Sequence, residues 1–142
     1  MADRAEILVV ANQTAESEEL LEALRERAAQ GPCKFHLLVP ATPHGASWAM
    51  DMHSGGDEAA EHLKRAVGRY RDAGLDVDDG KVGDPDAVAA VEDAVNFKEF
   101  DEIIVSTLPR RVSKWLKVDL PHRVEHACGK PVTHVEAKSV KV

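Results

Sequence analysis

The chain has 142 residues, 44% of them hydrophobic and 30% charged, with a formal net charge of −7. This length and composition predict one soluble globular domain over residues 1–142, long enough to bury a substantial core. The acidic balance argues against a general nucleic-acid binder, and no apolar run approaches the roughly 20 residues of a membrane helix. The start, Met1-Ala2-Asp3-Arg4-Ala5-Glu6, is charged and lacks the pattern of a secretory signal, so a cytoplasmic location is expected.

The first predicted element is a strand, Ile7-Leu8-Val9-Val10-Ala11, apolar at every position as a central parallel strand should be. Asn12-Gln13-Thr14 turns the chain into a helix that runs to about Ala29. Leu20, Leu21, Leu24 and Ala28 lie on one face of that helix, and Gly31-Pro32 stops it. Phe35–Val39 reads as strand two, ended by Pro40. Residues 41–56 form a long segment with Trp48, Met50 and Met52, read as a loop packed on its own domain. A helix is expected from about Asp57 to Ala73, with Ala59, Ala60, Leu63, Ala66, Val67 and Tyr70 as its apolar stripe and Gly74 as its cap.

Strand three is expected between Leu75 and Val82, and a helix from Asp86 to about Asn96 that buries Val88, Val91 and Val95. Strand four is Glu102–Ser106, a helix covers Leu120–Ala127, and strand five is Val132–Val135 with a tail, 136–142, that can extend it. Strand–helix units of roughly 30 residues predict a parallel sheet with right-handed crossovers, doubly wound, with helices on both faces. Ligands bind such sheets beyond the carboxyl ends of the strands, where the winding direction reverses. If strands one and four flank that point, Asn12-Gln13-Thr14 and Ser106-Thr107 face one crevice.

The stretch after strand four, Ser106-Thr107-Leu108-Pro109-Arg110-Arg111-Val112-Ser113-Lys114-Trp115, is the most suggestive in the chain. Residues 1–97 carry 9 Lys and Arg against 19 Asp and Glu; residues 98–142 carry 9 against 6. A net −10 is thus followed by a net +3, with Arg110, Arg111, Lys114, Lys117 and Arg123 opposed by Asp119. This pattern suits a local anion site, with Arg110, Arg111, Ser113 and Lys114 as ligands; a solvated basic turn is the alternative.

The pieces ILVVANQT, KFHLLVPATP, GDPDAVAAVEDA and DEIIVSTLPRRVSKWLKVDLPHRVEHACGKPVTHV, in this order and spacing, resemble the universal stress protein family over nearly the whole chain. The resemblance implies the strand order 3-2-1-4-5. It also implies homodimers formed through the edge of the last strand, here Val132 and His134. In one subgroup it implies ATP at the switch point. Taken together with the basic stretch, the candidate ligand positions are Ala11, Asn12, Val39, Thr107, Arg110, Arg111, Ser113 and Lys114. Family ATP binders carry Gly-x-x-Gly, nine residues, then Gly-Ser/Thr after strand four. Here Pro109, Arg110, Arg111 and Val112 fill the glycine region, Val118-Asp119 the second element, and Asn12 stands at the acidic position.

The expectation is therefore a non-enzymatic stress-type protein with a degenerate nucleotide crevice and no required cofactor, acting through dimerisation or through a partner or ligand. The alternative is a genuine ATP or AMP binder, perhaps hydrolysing ATP slowly, in which Arg110, Arg111 and Lys114 replace the glycine cradle. With strands two and five three steps apart in the implied order, Cys33 and Cys128 stand roughly 14 Å apart, too far for a disulfide. His122-Arg123-Val124-Glu125-His126 fits the H-x-x-E-H pattern. Pro121 suggests that the helix has only just begun there and no downstream carboxylate offers an obvious third ligand, so the pair is read as surface histidines. His44, His53 and His62 have no fixed geometry either, and no metal site is expected. No nucleophile elbow or Walker loop is present.

Overall fold

The computed structural model describes residues 4–11, 14–41, 54–84, 86–109 and 119–137. Their elements in chain order are β1 (Ala5–Val10), α1 (Glu18–Ala29), β2 (Cys33–Pro40), α2 (Ser54–Asp72), β3 (Lys81–Gly83), α3 (Ala87–Phe97), β4 (Glu102–Thr107), α4 (Leu120–Cys128) and β5 (Val132–Glu136). The five strands make one parallel sheet, as the strand–helix alternation predicts, in the order β3-β2-β1-β4-β5 that the resemblance implies.

The all-apolar first strand has a direct explanation. Successive strand side chains point to opposite faces, and both faces of β1 are covered. Ile7, Val9 and Ala11 enter one core layer with Phe35, Leu37, Val39 and Ile104, roofed by Leu20 and Leu24 of α1 and Ala66 and Tyr70 of α2. Leu8 and Val10 enter the other with Leu38, Ile103 and Val105, roofed by Ala90 and Val91 of α3 and Leu120 and Val124 of α4. Cys33 belongs to the first layer and Cys128 packs on the second. The two free thiols, Cys33 at the start of β2 and Cys128 at the end of α4, therefore sit on opposite sides of the sheet.

Several boundaries differ from the sequence reading, each for a local reason. Helix α2 begins at Ser54, inside the segment read as loop, and takes Gly55 and Gly56 into its first turn. Ala60 is exposed, and the buried stripe runs through Ala59, Leu63, Ala66, Val67 and Tyr70. Strand β3 shrinks to three residues, preceded by a lone Phe35–Val77 bridge. Between the two, the Asp78 carboxylate accepts the Gly80 N–H at 2.8 Å and Gly80 turns left-handed (φ +75°), which breaks the ladder. Helix α3 buries Ala87, Ala90 and Val91, while Val88 and Val95 are only half-buried, because the helix meets the sheet through its small residues. Helix α4 contains His122 as a regular member; Pro121 occupies the first turn, where its missing N–H is harmless.

Candidate functional site

The sheet order puts β1 and β4 side by side, with β1's next partner β2 on one flank and β4's next partner β5 on the other. Their carboxyl ends form the switch-point crevice, whose floor can be followed residue by residue. Ala11, just past β1, is fully buried and donates its N–H to the Leu38 carbonyl at 3.1 Å. Val39 is fully buried in the α1/α2 layer. Thr107 closes β4 with its hydroxyl donating to the Leu108 carbonyl at 3.0 Å and lying 2.8 Å from His134 Nε2. The Ala137 N–H continues this edge by donating to the Thr107 carbonyl at 2.9 Å.

Sequence reasoning placed Thr14 and Ser106 at this crevice but did not foresee that they touch. The buried Thr14 and Ser106 hydroxyls lie 2.6 Å apart and tie the turn after β1 to the end of β4 across 92 residues. Two hydroxyls that share one bond carry a second O–H able to donate to another acceptor. The turn itself is pinned from beneath. The Tyr70 hydroxyl of α2 donates to the Ala15 carbonyl, and burial pushes the Tyr70 phenol well above its ordinary value. Ser17 then caps α1 by accepting the Leu20 N–H at 3.2 Å. The available signal was polar residues ending two apolar strands that the topology makes neighbours.

Of the predicted site residues, Ala11, Val39 and Thr107 are buried at the carboxyl ends of β1, β2 and β4. Asn12, Arg110, Arg111, Ser113 and Lys114 lie outside the described residues, as do His44, Trp48, Met50, Met52, His53, Trp115 and Leu116. At the outer edge of the sheet, Val132 of β5 is half-buried against the α3/α4 layer and His134 is exposed.

A second polar cluster sits toward the amino ends of the strands. His36 of β2 places Nε2 at 2.7 Å from Glu6 and Nδ1 at 2.6 Å from Asp78, edge-on to the Phe100 ring at 5.2 Å. Lys98 Nζ stands 3.3 Å from the same Glu6 oxygen, and Asp101 accepts the Glu6 N–H at 2.7 Å. Its groups satisfy one another, which makes it a clamp between strands rather than a ligand site. Cys33 and Cys128 have their thiols pushed up by burial, so neither is an activated nucleophile. Among the described residues, no cluster of three or more His, Cys, Asp or Glu side chains could hold a metal ion, and no helix is long and apolar enough to cross a membrane.

No protein-family model and no curated protein matches the sequence. Solved structures do. A universal stress protein from Archaeoglobus fulgidus is 17% identical, with 92% of this chain and 93% of that one covered and a TM-score of 0.63. A universal stress protein family protein from Arabidopsis thaliana with AMP bound is 13% identical over 94% and 92%, at a TM-score of 0.63. A universal stress protein in complex with cAMP is 19% identical over 94% and 98%, at 0.58. Identities this low carry the fold and nothing finer, and on that evidence the chain has the universal stress protein fold.

Proposed function

We propose that this chain is a non-enzymatic, cytoplasmic stress-type protein that works by binding, and that its crevice takes an adenine nucleotide bearing a single phosphate. The observation that carries this reading is the switch point between β1 and β4, floored by the Thr14–Ser106 hydroxyl pair and followed by the basic stretch 110–114. The neighbours with AMP and cAMP support the choice of ligand class. A single phosphate also suits the sequence better than three. Backbone cradles for a polyphosphate need glycine, and the 109–112 region has none, whereas the Arg110 and Arg111 forks and the Lys114 ammonium can grip one phosphate. Thr107 and Asn12 would orient the nucleoside, beside the backbone at Ala11 and Val39. No catalytic role is assigned to any residue in this reading.

Calorimetric titration tests this. AMP and cAMP should bind in the micromolar range, ATP more weakly, and the Arg110→Ala/Arg111→Ala variant should lose all three. Absence of heat with every nucleotide would sink the proposal and leave the second reading. In that reading the crevice is degenerate and the protein acts as a homodimer through the β5 edge. It is supported by the position of β5 at the margin of the sheet, with exposed His134 and half-buried Val132 along it.

A further inference from the structure

Helix α4 carries a feature that the crevice does not use. Leu120 and Val124 are buried in the core, which anchors one stripe of the helix. His122 and His126 sit two positions further on, about 200° around the axis, so both fall on the outer face. Both are exposed, and both line one shallow groove with Val88 of α3, Arg123 and Ala127. Residues one helical turn apart have Cβ atoms about 5–6 Å apart, a span across which two imidazoles can close on one ion with metal–nitrogen bonds of about 2.0–2.1 Å. Because His122 lies inside regular helix, the backbone has already fixed this spacing.

The residue before the helix adds a second, independent observation. Asp119 stands at the N-cap in the left-handed conformation (φ 56°, ψ 49°) and makes no side-chain cap bond. Its carboxylate instead lies 3.3 Å from His122 Nδ1. A carboxylate that takes the Nδ1–H of a histidine fixes the tautomer and leaves the Nε2 lone pair pointing away from it, the usual outer arrangement of a metal-binding histidine.

We propose that His122 and His126 form a two-nitrogen clip for a late first-row divalent cation, Zn²⁺ or Ni²⁺, with Asp119 as the positioning residue for His122. Neutral imidazole donors select such ions over Mg²⁺ and Ca²⁺, which prefer oxygen. With two protein ligands the remaining positions belong to water, so the ion exchanges freely and is not part of the fold. The clip is independent of the nucleotide crevice.

The test is calorimetric titration of the full chain with NiCl₂ and ZnCl₂ near neutral pH, folding of each variant being confirmed by circular dichroism. One ion should bind per chain. His122→Gln and His126→Gln should each weaken binding at least about tenfold. His62→Gln, on α2, should leave binding unchanged. Asp119→Asn should weaken it by a smaller factor while leaving the metal-free Tm in place, since asparagine tolerates the same backbone region. The clip is overturned if the unmodified chain binds neither ion, if both histidine variants bind as tightly as it does, or if only one of the two histidines matters.

Discussion

Burial alone would raise the Glu6 carboxyl, but the hydrogen bonds from His36 and Lys98 outweigh it and hold the group below its ordinary value of 4.5. A carboxyl depressed in the folded state stabilises the protein above its unfolded value, and that contribution disappears as pH falls through the folded one. Glu6→Gln should therefore cost about 1–2 kcal/mol at neutral pH, the size of a charge-assisted hydrogen bond. In urea denaturation over a pH series, the gap between variant and parent should narrow as pH drops below 4.5; a gap independent of pH would contradict this account. Tyr70→Phe is predicted to cost about 1–2 kcal/mol, because it leaves the Ala15 carbonyl without its buried donor. It should also weaken any crevice ligand, since the turn bearing Thr14 loses its support, and paired denaturation and titration curves read both effects. Neither contact was legible in the sequence. Glu6 with His36, and Tyr70 with Ala15, meet across 30 and 55 residues, and nothing in composition or periodicity says which polar side chains will meet.

At the level of elements, the pattern carried more. The double coverage of β1 was readable because every position from Ile7 to Ala11 is apolar, and each of them is buried in the layer its parity assigns. Boundaries were less readable wherever glycine has two uses. The pair at 55–56 is punctuation in the sequence and helix in the fold. Gly80 does act as a turn, and the structure shows why. Its φ is +75°, and an added Cβ would run into the Leu63 side chain and approach the Leu37 carbonyl oxygen to 3.0 Å. Gly74 is also left-handed (φ +87°) but has open space around it. Gly74→Ala should thus cost about 1 kcal/mol from backbone strain, and Gly80→Ala about 2 kcal/mol or more from strain plus crowding. Chemical denaturation of the two variants separates the terms, and equal losses would show that the space at Gly80 can relax.

For the molecule as a whole, the sheet has two margins, β3 and β5. A sheet margin offers unpaired backbone groups to another strand. At β3 the strand is three residues long, which blunts pairing, whereas β5 has five residues and carries exposed Thr133 and His134. The β5 margin is accordingly the better surface for a second copy. Light scattering should give twice the 15.5 kDa chain mass, and His134→Glu, which sets like charges on both copies, should return the monomer. A monomeric parent at high concentration would end the dimer reading. The crevice was legible as a place, from strand–helix alternation, but not as a surface, because its buried hydroxyl contact depends on β1 and β4 becoming neighbours.

That neighbourhood has a consequence for how the chain is made. The strand that comes earliest, β1, occupies the middle of the sheet, and its ladder with β4 joins residues 95 apart, as the Glu6–Asp101 contact does. At about 5–20 residues per second, a ribosome delivers β4 some 5–20 s after β1. During that interval the most apolar segment of the protein has β2 on one side and nothing on the other. Until β4 emerges, the second edge of β1 stays open to pairing with any other strand.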